Sequence, residues 1–176
     1  RDGDWSSDVC SSDLAGTVSV LRNTSSGAGS ISFAPKVDYT VGASPNFDFI
    51  GDLDGDGKPD LAVSNVSSAS ISTFRNTSVP GTISFAAKVD FATGTIPYGL
   101  SMCDLDGDNK LDLVTANWLG NNISTLRNTS VSGTISFAAK VDFAVTLTPH
   151  GIAAGDLDGD GRPDLVVTNT APSNKI

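Results

Sequence analysis

Most of the residues in this chain that could carry out chemistry are aspartates, and most of these aspartates lie in copies of one short motif. The stretch Asp-Leu-Asp-Gly-Asp-Gly-Lys-Pro-Asp-Leu occupies residues 52–61 and recurs with small changes at 104–113 and 156–165. Both intervals between copies are 52 residues long. A fixed period of this length indicates a repeat protein in which each unit carries the same loop.

The aspartates of the motif have the type and spacing of a calcium-binding loop. Positions 1, 3, 5 and 9 carry carboxylates, the hard oxygen ligands that Ca²⁺ prefers, and position 7 can add its backbone carbonyl. Without a cation these carboxylates repel one another, although Asp/Gly turns also occur simply as soluble loops. We predict about three Ca²⁺ per chain, one for each motif. The predicted ligands are Asp52, Asp54, Asp56, Lys58, Asp60, Asp104, Asp106, Asp108, Lys110, Asp112, Asp156, Asp158, Asp160, Arg162 and Asp164.

The turn at position 6 and the lack of glutamate indicate which kind of calcium loop this is. Position 6 requires a positive φ, and it is occupied by Gly57, Asn109 and Gly161, residue types that adopt this conformation easily. An EF-hand would need a Glu at position 12 and a helix on each side. The chain contains no Glu, and the flanking segments 47–51 and 61–65 are typical of strands. We therefore predict that each loop is the tip of a β-hairpin.

Residues 4–14 differ in character from the rest of the sequence. They read Asp-Trp-Ser-Ser-Asp-Val-Cys-Ser-Ser-Asp-Leu, which resembles an in-frame translation of a standard short-read sequencing adaptor. A segment of this origin does not belong to a fold, and residues 1–3 are suspect by proximity. We therefore assign residues 1–14 to an artefactual or disordered segment, and residues 15–176 to the domain with the 52-residue repeats.

The loops account for the net charge of −9. Residues 1–14 contain one Arg and four Asp, which leaves ten basic and sixteen acidic residues in 15–176, and twelve of those sixteen lie in the three motifs. Three bound Ca²⁺ would bring this segment close to neutrality. An acidic surface does not suit a phosphate backbone, so we expect no nucleic-acid partner. We also expect no membrane insertion, because no long apolar run is present.

Each repeat divides into four short strand candidates separated by turn residues. In the middle copy these are residues 100–103, 113–116, 123–128 and 137–143, and the Asp motif joins the first candidate to the second. Four strands per unit at this period are typical of a β-propeller blade. An open β-solenoid is the alternative, although its repeats are usually shorter.

The Asp motif with the preceding Gly51 resembles FG-GAP/VCBS repeats, the calcium-loop blades also found in integrin α-subunit propellers. The segment Gly-Thr-Ile-Ser-Phe-Ala-Ala-Lys-Val-Asp-Phe, at 81–91 and 133–143, is similar to bacterial VCBS members. The resemblance covers 15–176 and implies an all-β fold, a partial β-propeller of four-stranded antiparallel blades. Two blades would be complete, around 47–95 and 99–147, with half a blade at each end. Because family propellers have about seven blades, we expect a fragment whose remaining blades are its partners.

The residues outside the loops do not form a catalytic site. His150 is the only histidine, Cys103 is the only cysteine outside the adaptor-like segment, and no Gly-x-Ser-x-Gly motif occurs. Nucleophilic catalysis requires a base that a carboxylate orients beside a nucleophile. We therefore predict that this chain is not an enzyme, that it uses no cofactor other than Ca²⁺, and that Cys103 is a small residue packed in an inner strand.

The resemblance and the loops together suggest an extracellular or cell-surface protein, of bacterial origin, that serves recognition or adhesion. Calcium would then be structural, and the end of the propeller opposite the loops would contact an extracellular protein or glycan. The predicted contact residues are Asn46, Tyr98, Trp118 and His150. Two alternatives remain open: a non-catalytic propeller part of a larger secreted hydrolase or lyase, and a structural spacer in a cell-surface protein.

Overall fold

A computed structural model describes residues 15–170 of the chain, so residues 1–14, assigned above to an adaptor-like segment, lie outside the described part. Residues 15–170 contain twelve β-strands and no helix. The strands are β1 (Ala15–Val20), β2 (Val37–Ala43), β3 (Pro45–Gly51), β4 (Asp60–Asn65), β5 (Ser70–Phe74), β6 (Val89–Ala92), β7 (Pro97–Cys103), β8 (Asp112–Asn117), β9 (Asn122–Leu126), β10 (Val141–Ala144), β11 (Pro149–Gly155) and β12 (Asp164–Asn169).

These strands form four antiparallel sheets in which neighbouring strands follow one another along the chain. Strands β3 to β6 form one four-stranded sheet, the first blade, and β7 to β10 form the second blade. Strands β1 and β2 form the N-terminal half blade, and β11 and β12 form the C-terminal half blade. The prediction of an all-β partial propeller with two complete blades and a half blade at each end is confirmed.

The first strands of successive units lie side by side. Strand β7 packs against β3 on one side and against β11 on the other, although the three strands belong to different sheets. Blades that meet through their first strands surround a common axis, as in a propeller. The Asp motifs follow these strands directly, so all three loops lie at the same end of the blades.

In the two complete blades the fourth strands, β6 and β10, are shorter in the structure than the sequence suggested. Residues 137–143 were expected to form one strand, but β10 begins at Val141, and Phe137 forms only an isolated bridge with Asn128. Backbone pairing continues beside this bridge, where the N–H groups of Thr129 and Ala138 donate to the carbonyls of Ser136 and Arg127, at 2.9 and 2.8 Å. The Ser130 hydroxyl adds bonds to the N–H and the carbonyl of Ser136, at 2.9 and 3.1 Å. Such bonds between a serine side chain and nearby backbone groups are typical of turns.

The apolar core lies between the sheets. One cluster joins the two blades, with Leu53, Ile71 and Phe91 of the first blade packed against Leu113 and other apolar residues of the second. A second cluster joins the N-terminal half blade to the first blade through Val41, Leu61, Val63 and Phe74. Each blade therefore depends on its neighbours to bury its apolar faces.

Candidate metal centre

The three Asp motifs form the tips of the hairpins β3–β4, β7–β8 and β11–β12, as predicted. Position 6 has the expected positive φ, which is 84° at Gly57, 65° at Asn109 and 86° at Gly161. The glycine at position 4 also has a positive φ in each loop, between 74° and 82°. Two left-handed residues in one short loop curl its backbone so that several N–H groups face inward.

The aspartate at position 1 accepts those N–H groups. In the first loop, Asp52 accepts hydrogen bonds from the N–H of Gly55 and Gly57, both at 2.8 Å, one at each carboxylate oxygen. The same two bonds recur in the second loop at Asp104 and in the third at Asp156, with lengths between 2.7 and 2.9 Å. These hydrogen bonds within the loop therefore stabilise its conformation.

Three carboxylates converge in each loop, with one oxygen from each lying within 4.8 Å of the others. The three sets are Asp52, Asp54 and Asp60; Asp104, Asp106 and Asp108; and Asp156, Asp158 and Asp164. The first set is the most enclosed, because Asp54 and Asp60 are buried, whereas the third set is exposed. Each loop thus brings together three of its four predicted aspartates.

The aspartate at position 9 ties the loop to the rest of its blade. The two oxygens of Asp60 accept the N–H groups of Leu53, in the loop, and of Asn76, just after β5, at 2.9 and 2.7 Å. Burial raises the pKa of Asp60; these two bonds oppose that rise, and the neighbouring carboxylates of Asp54 and Asp56 add to it. The net result is a raised pKa, chiefly because burial disfavours the charged form of the carboxyl group.

Asp112 repeats this arrangement in the second blade, with bonds from the N–H groups of Leu105 and Asn128 at 2.9 and 2.7 Å. Its pKa is also raised, chiefly by burial. These sites fit a hard divalent cation on two grounds. Their side-chain donors are all carboxylate oxygens, and a bound cation would favour the charged form of these carboxylates, which burial and mutual repulsion disfavour.

The other predicted ligands remain predictions. Asp56, Asp112 and Asp160 lie outside the three-carboxylate sets. At position 7, the backbone carbonyl was expected to bind the ion. The structure shows that the Lys58 and Lys110 side chains extend to carbonyl oxygens of the turn after the third strand, at 3.4 and 3.0 Å.

Two hydrogen bonds between blades were not anticipated from the sequence. The N–H of Gly133, in the second blade, donates to Oδ2 of Asp54, in the loop of the first blade, at 2.8 Å. The side-chain amide of the fully buried Asn128 donates to the carbonyl of Leu53 at 2.9 Å. The sequence does show that glycine and asparagine recur at these positions in every copy. That recurrence does not predict which blade the two residues contact.

The four residues of the predicted contact surface are brought together. The Asn46 side-chain amide donates to the carbonyl of Tyr98 at 2.9 Å. The Tyr98 ring lies 4.4 Å from the ring of His150 and 6.0 Å from that of Trp118, measured between centroids. This cluster, which we call the aromatic cluster, lies at the start of the first strands and therefore at the end opposite the Asp loops.

Cys103 is the last residue of β7, as the inner-strand prediction requires, and it is half-buried. Burial, together with the carboxylates of Asp112 and Asp104, raises the pKa of its thiol to about 11. The raised pKa keeps the thiol protonated at neutral pH.

Comparison with known proteins gives two findings. A family model described as FG-GAP-like repeat matches three overlapping stretches, residues 1–63, 52–115 and 104–167. Among solved structures, a functionally unknown protein from Desulfotomaculum acetoxidans DSM 771 is similar, with a TM-score of 0.51 and 19% sequence identity. The match covers 71% of this chain but only 35% of that protein, and at this identity it shows the fold alone. The search of curated proteins returned no match.

Proposed function

The chain belongs to the FG-GAP-like repeat family, and on that basis we propose that it is a calcium-stabilised propeller segment of an extracellular protein that serves recognition or adhesion. Repeats of this family are typical of extracellular proteins and often bind calcium. Within residues 15–170, no helix is long and apolar enough to cross a membrane.

The observation that carries the calcium proposal is the convergence of three carboxylates in each of three loops, within 4.8 Å of one another. Ca²⁺ would bind these oxygens and would hold each hairpin tip in one conformation. Its role would therefore be structural. Extracellular calcium modules bind the ion at roughly 10⁻⁴–10⁻³ M. Sites of this strength are filled outside cells and are largely empty at cytosolic calcium levels.

Calcium titration of the full chain by calorimetry, with a thermal melt in calcium and in chelator, tests this proposal. We expect three ions per chain and a clear rise of the melting temperature in calcium. Mg²⁺ is the matched control ion, because it demands a smaller, nearly octahedral site and should give a weaker response. A chain that is folded by circular dichroism but binds no calcium would contradict the proposal.

We further propose that the aromatic cluster contacts the extracellular partner, a protein or a glycan. Aromatic rings with an apolar face and a polar tip are favoured at such surfaces. The support is that the Tyr98 ring adjoins both Trp118 and His150, although the three residues come from different strands and turns. Binding of the chain to a glycan array and to extracellular-matrix proteins tests this. Trp118→Ala and Tyr98→Ala should abolish any binding detected, while a retained interaction in both variants would exclude the cluster.

We propose no catalytic role for this chain. His150 lies against Tyr98 at one end of the blades, whereas the clustered carboxylates lie at the other. A histidine separated from the carboxylates in this way is not oriented as a catalytic base by any of them.

A further inference from the structure

One short segment of the second blade contacts both the first and the second Asp loop. It is the turn that follows β9, residues 128–136, which we call the bridging turn. Asn128, at its start, is fully buried, and its side-chain amide donates two hydrogen bonds, each 2.9 Å long. One goes to the carbonyl of Leu53 in the first loop, and the other goes to the carbonyl of Leu111 in the second loop. A single side chain therefore joins the two candidate metal centres.

The bridging turn has two further bonds to the second loop. The backbone N–H of Asn128 donates to the carboxylate of Asp112, the aspartate at position 9, at 2.7 Å. The Lys110 ammonium group donates to the carbonyl of Ser130 at 3.0 Å. The first blade has both equivalent bonds between its own loop and turn, at 2.7 and 3.4 Å. This contact between a loop and the turn of the same blade is therefore a regular feature of the repeat.

The contact of the bridging turn with the first loop involves a predicted metal ligand and its neighbour. Asp54, which is 4% exposed, accepts the N–H of Gly133 at Oδ2, at 2.8 Å. Leu53, the residue before Asp54, is held at its carbonyl by Asn128. Groups that hydrogen-bond a metal-binding carboxylate fix its orientation, and their loss typically weakens metal binding by about 10–100-fold. The ligands of the first loop are therefore positioned in part by the second blade.

The bridging turn is held together by its own bonds, so its two ends are mechanically connected. Oδ1 of Asn128 accepts the N–H of Ser130 at 2.8 Å. Val131 and Thr134 exchange two backbone hydrogen bonds, at 3.2 and 2.8 Å. Ile135 is 8% exposed and belongs to the core cluster between the two blades. A connected network of bonds and packed side chains is the kind of element that can couple two sites.

We propose that the first and second loops bind calcium cooperatively, and that the bridging turn carries the coupling. This inference rests on the calcium proposal above. In an empty loop the carboxylates repel one another, which favours conformations that break the bonds to the bridging turn. A loop that holds calcium keeps these bonds and orders the bridging turn, so the other loop loses less conformational freedom when it binds. Each loop should raise the affinity of the other by the same factor, because a coupling free energy is reciprocal.

Calcium titration of the full chain, followed by the backbone amide resonances of each loop, tests the proposal. The resonances of Gly57 and Asn109, both at position 6, report separately on the first and second loops. A background with Asp158→Asn and Asp160→Asn inactivates the third loop, and the asparagine oxygens can keep the local hydrogen bonds of both side chains. The two remaining loops can then be compared without a third binding event.

In this background, Asp106→Asn with Asp108→Asn inactivates the second loop and leaves its bonds to the bridging turn in place. Four aspartates with one bound Ca²⁺ have the same net charge as the two aspartates that remain in the variant. A change in the first loop is therefore not caused by a difference in net charge. We expect half-saturation of the first loop to require at least about five-fold more calcium when the second loop is inactive.

Two variants test whether the coupling passes through the bridging turn. Asn128→Ser removes both bonds of the side-chain amide, and it should bring the effect of the second loop on the first close to zero. Lys110→Met removes only the bond to Ser130 and keeps the backbone carbonyl of position 7. This variant should at least about halve the ratio of the two half-saturation concentrations. Lys110 is half-exposed, so Lys110→Met decides the question if melting curves show that Asn128→Ser does not fold.

Lys58→Met is the matched control for the coupling. It removes the same kind of bond, from Lys58 to the carbonyl of Ser78, in the turn that follows β5 and not in the bridging turn. The ratio of the two half-saturation concentrations should stay as in the wild type, even if the affinity of the first loop itself changes.

The outcomes separate this inference from the calcium proposal on which it rests. A folded chain in which calcium shifts neither resonance would overturn both. Two loops that bind calcium, with the first unaffected when the second is inactive, would overturn only the cooperative binding. A ratio that Lys110→Met leaves unchanged would overturn it as well, because the coupling would then not pass through the bridging turn.

Discussion

Asp54 of the first blade accepts a hydrogen bond, 2.8 Å long, from the backbone N–H of Gly133 in the second blade, 79 residues further along the chain. Asp54 also belongs to the three-carboxylate set of the first loop, and only 4% of its surface is exposed. One side chain thus takes part in both the candidate metal centre and the contact between blades. The conformation of the loop and the packing of the blades are therefore linked.

This link predicts that Asp54→Asn destabilises the chain even in chelator. The amide cannot keep both the bond from the Asp56 N–H at Oδ1 and the bond from Gly133 at Oδ2. Losing a buried, charge-assisted hydrogen bond costs about 1.5–3 kcal/mol of unfolding free energy. Urea unfolding in chelator measures this cost.

Asp56→Asn is the control for that experiment. Asp56 belongs to the same loop, but the hydrogen bond found for its side chain is the local one from the Lys58 N–H, which an asparagine oxygen can also accept. Its stability in chelator should stay within about 0.5 kcal/mol of the wild type. Equal losses in the two variants would show that the contact with Gly133 contributes nothing.

Asn109 provides a test of the turn geometry. Its φ is 65°, whereas the other two loops have glycine at this position. Asn109→Gly should be neutral or slightly stabilising, whereas Asn109→Val should cost at least about 1 kcal/mol, because a β-branched residue is strained in the left-handed region. Thermal melts in chelator, where no ion compensates for the strain, measure both effects. An unchanged melting temperature for Asn109→Val would mean that the folded chain does not require a positive φ at this position.

The core between the two blades predicts a large effect of Leu113→Ala. Leu113 is completely buried in the cluster that joins the blades. Truncation leaves a cavity and should lower the unfolding free energy by about 2–5 kcal/mol. Leu119→Ala is the matched control, since that side chain is 56% exposed and should cost less than about 0.5 kcal/mol. Similar values for the two variants would contradict the assigned core.

The lowered pKa of Asp90 predicts part of the stability that the folded chain loses at acidic pH. Burial raises the pKa of Asp90, but hydrogen bonds from Lys88 and Ser72 and the charge of Lys88 outweigh burial, so the pKa lies below the ordinary 3.8. A lowered folded-state pKa contributes stability above pH 3.8, and this contribution disappears as the pH falls through the lowered value. Asp90→Asn should therefore be less stable than the wild type near neutrality, and the difference should shrink below pH 3.8.

Asp142 serves as an internal repeat of that measurement. Its pKa is also lowered, since hydrogen bonds from Lys140 and Ser124 outweigh the effect of burial. Asp142→Asn should show the same pH dependence of the melting temperature. A difference from the wild type that persists unchanged at low pH would mean that the carboxylate charge is not responsible.

Removal of residues 1–14 tests the proposed domain boundary. If the adaptor-like segment lies outside the fold, a chain that starts at Ala15 should melt within about one degree of the full chain, since groups that make no contacts contribute no stability. The comparison requires calcium in both samples, because metal binding shifts the melting temperature. A markedly lower melting temperature would show that residues before Ala15 take part in the first unit.

The repeat period, the four strands of each unit and the hairpin position of the Asp motifs could all be predicted from the sequence. They depend on local chemistry: alternating strand residues, turn residues, and a left-handed residue at position 6, where Asn109 replaces glycine. The turns after the third strands were equally local, as shown by the Asn128 side chain, which accepts the N–H of Ser130 at 2.8 Å. The starts of the fourth strands were less predictable, because the pairing before them is reduced to isolated bridges such as that between Asn128 and Phe137.

By itself, the sequence determined which residues form each unit and each loop, because every copy carries the same short-range signals. Only the tertiary structure decided how the copies differ. Leu53 and Leu157 hold the same place in the motif, yet one is 1% and the other 70% exposed. The physical reason is that burial in a repeat protein depends on the neighbouring unit, and the second blade covers Leu53 while no unit within residues 15–170 covers Leu157.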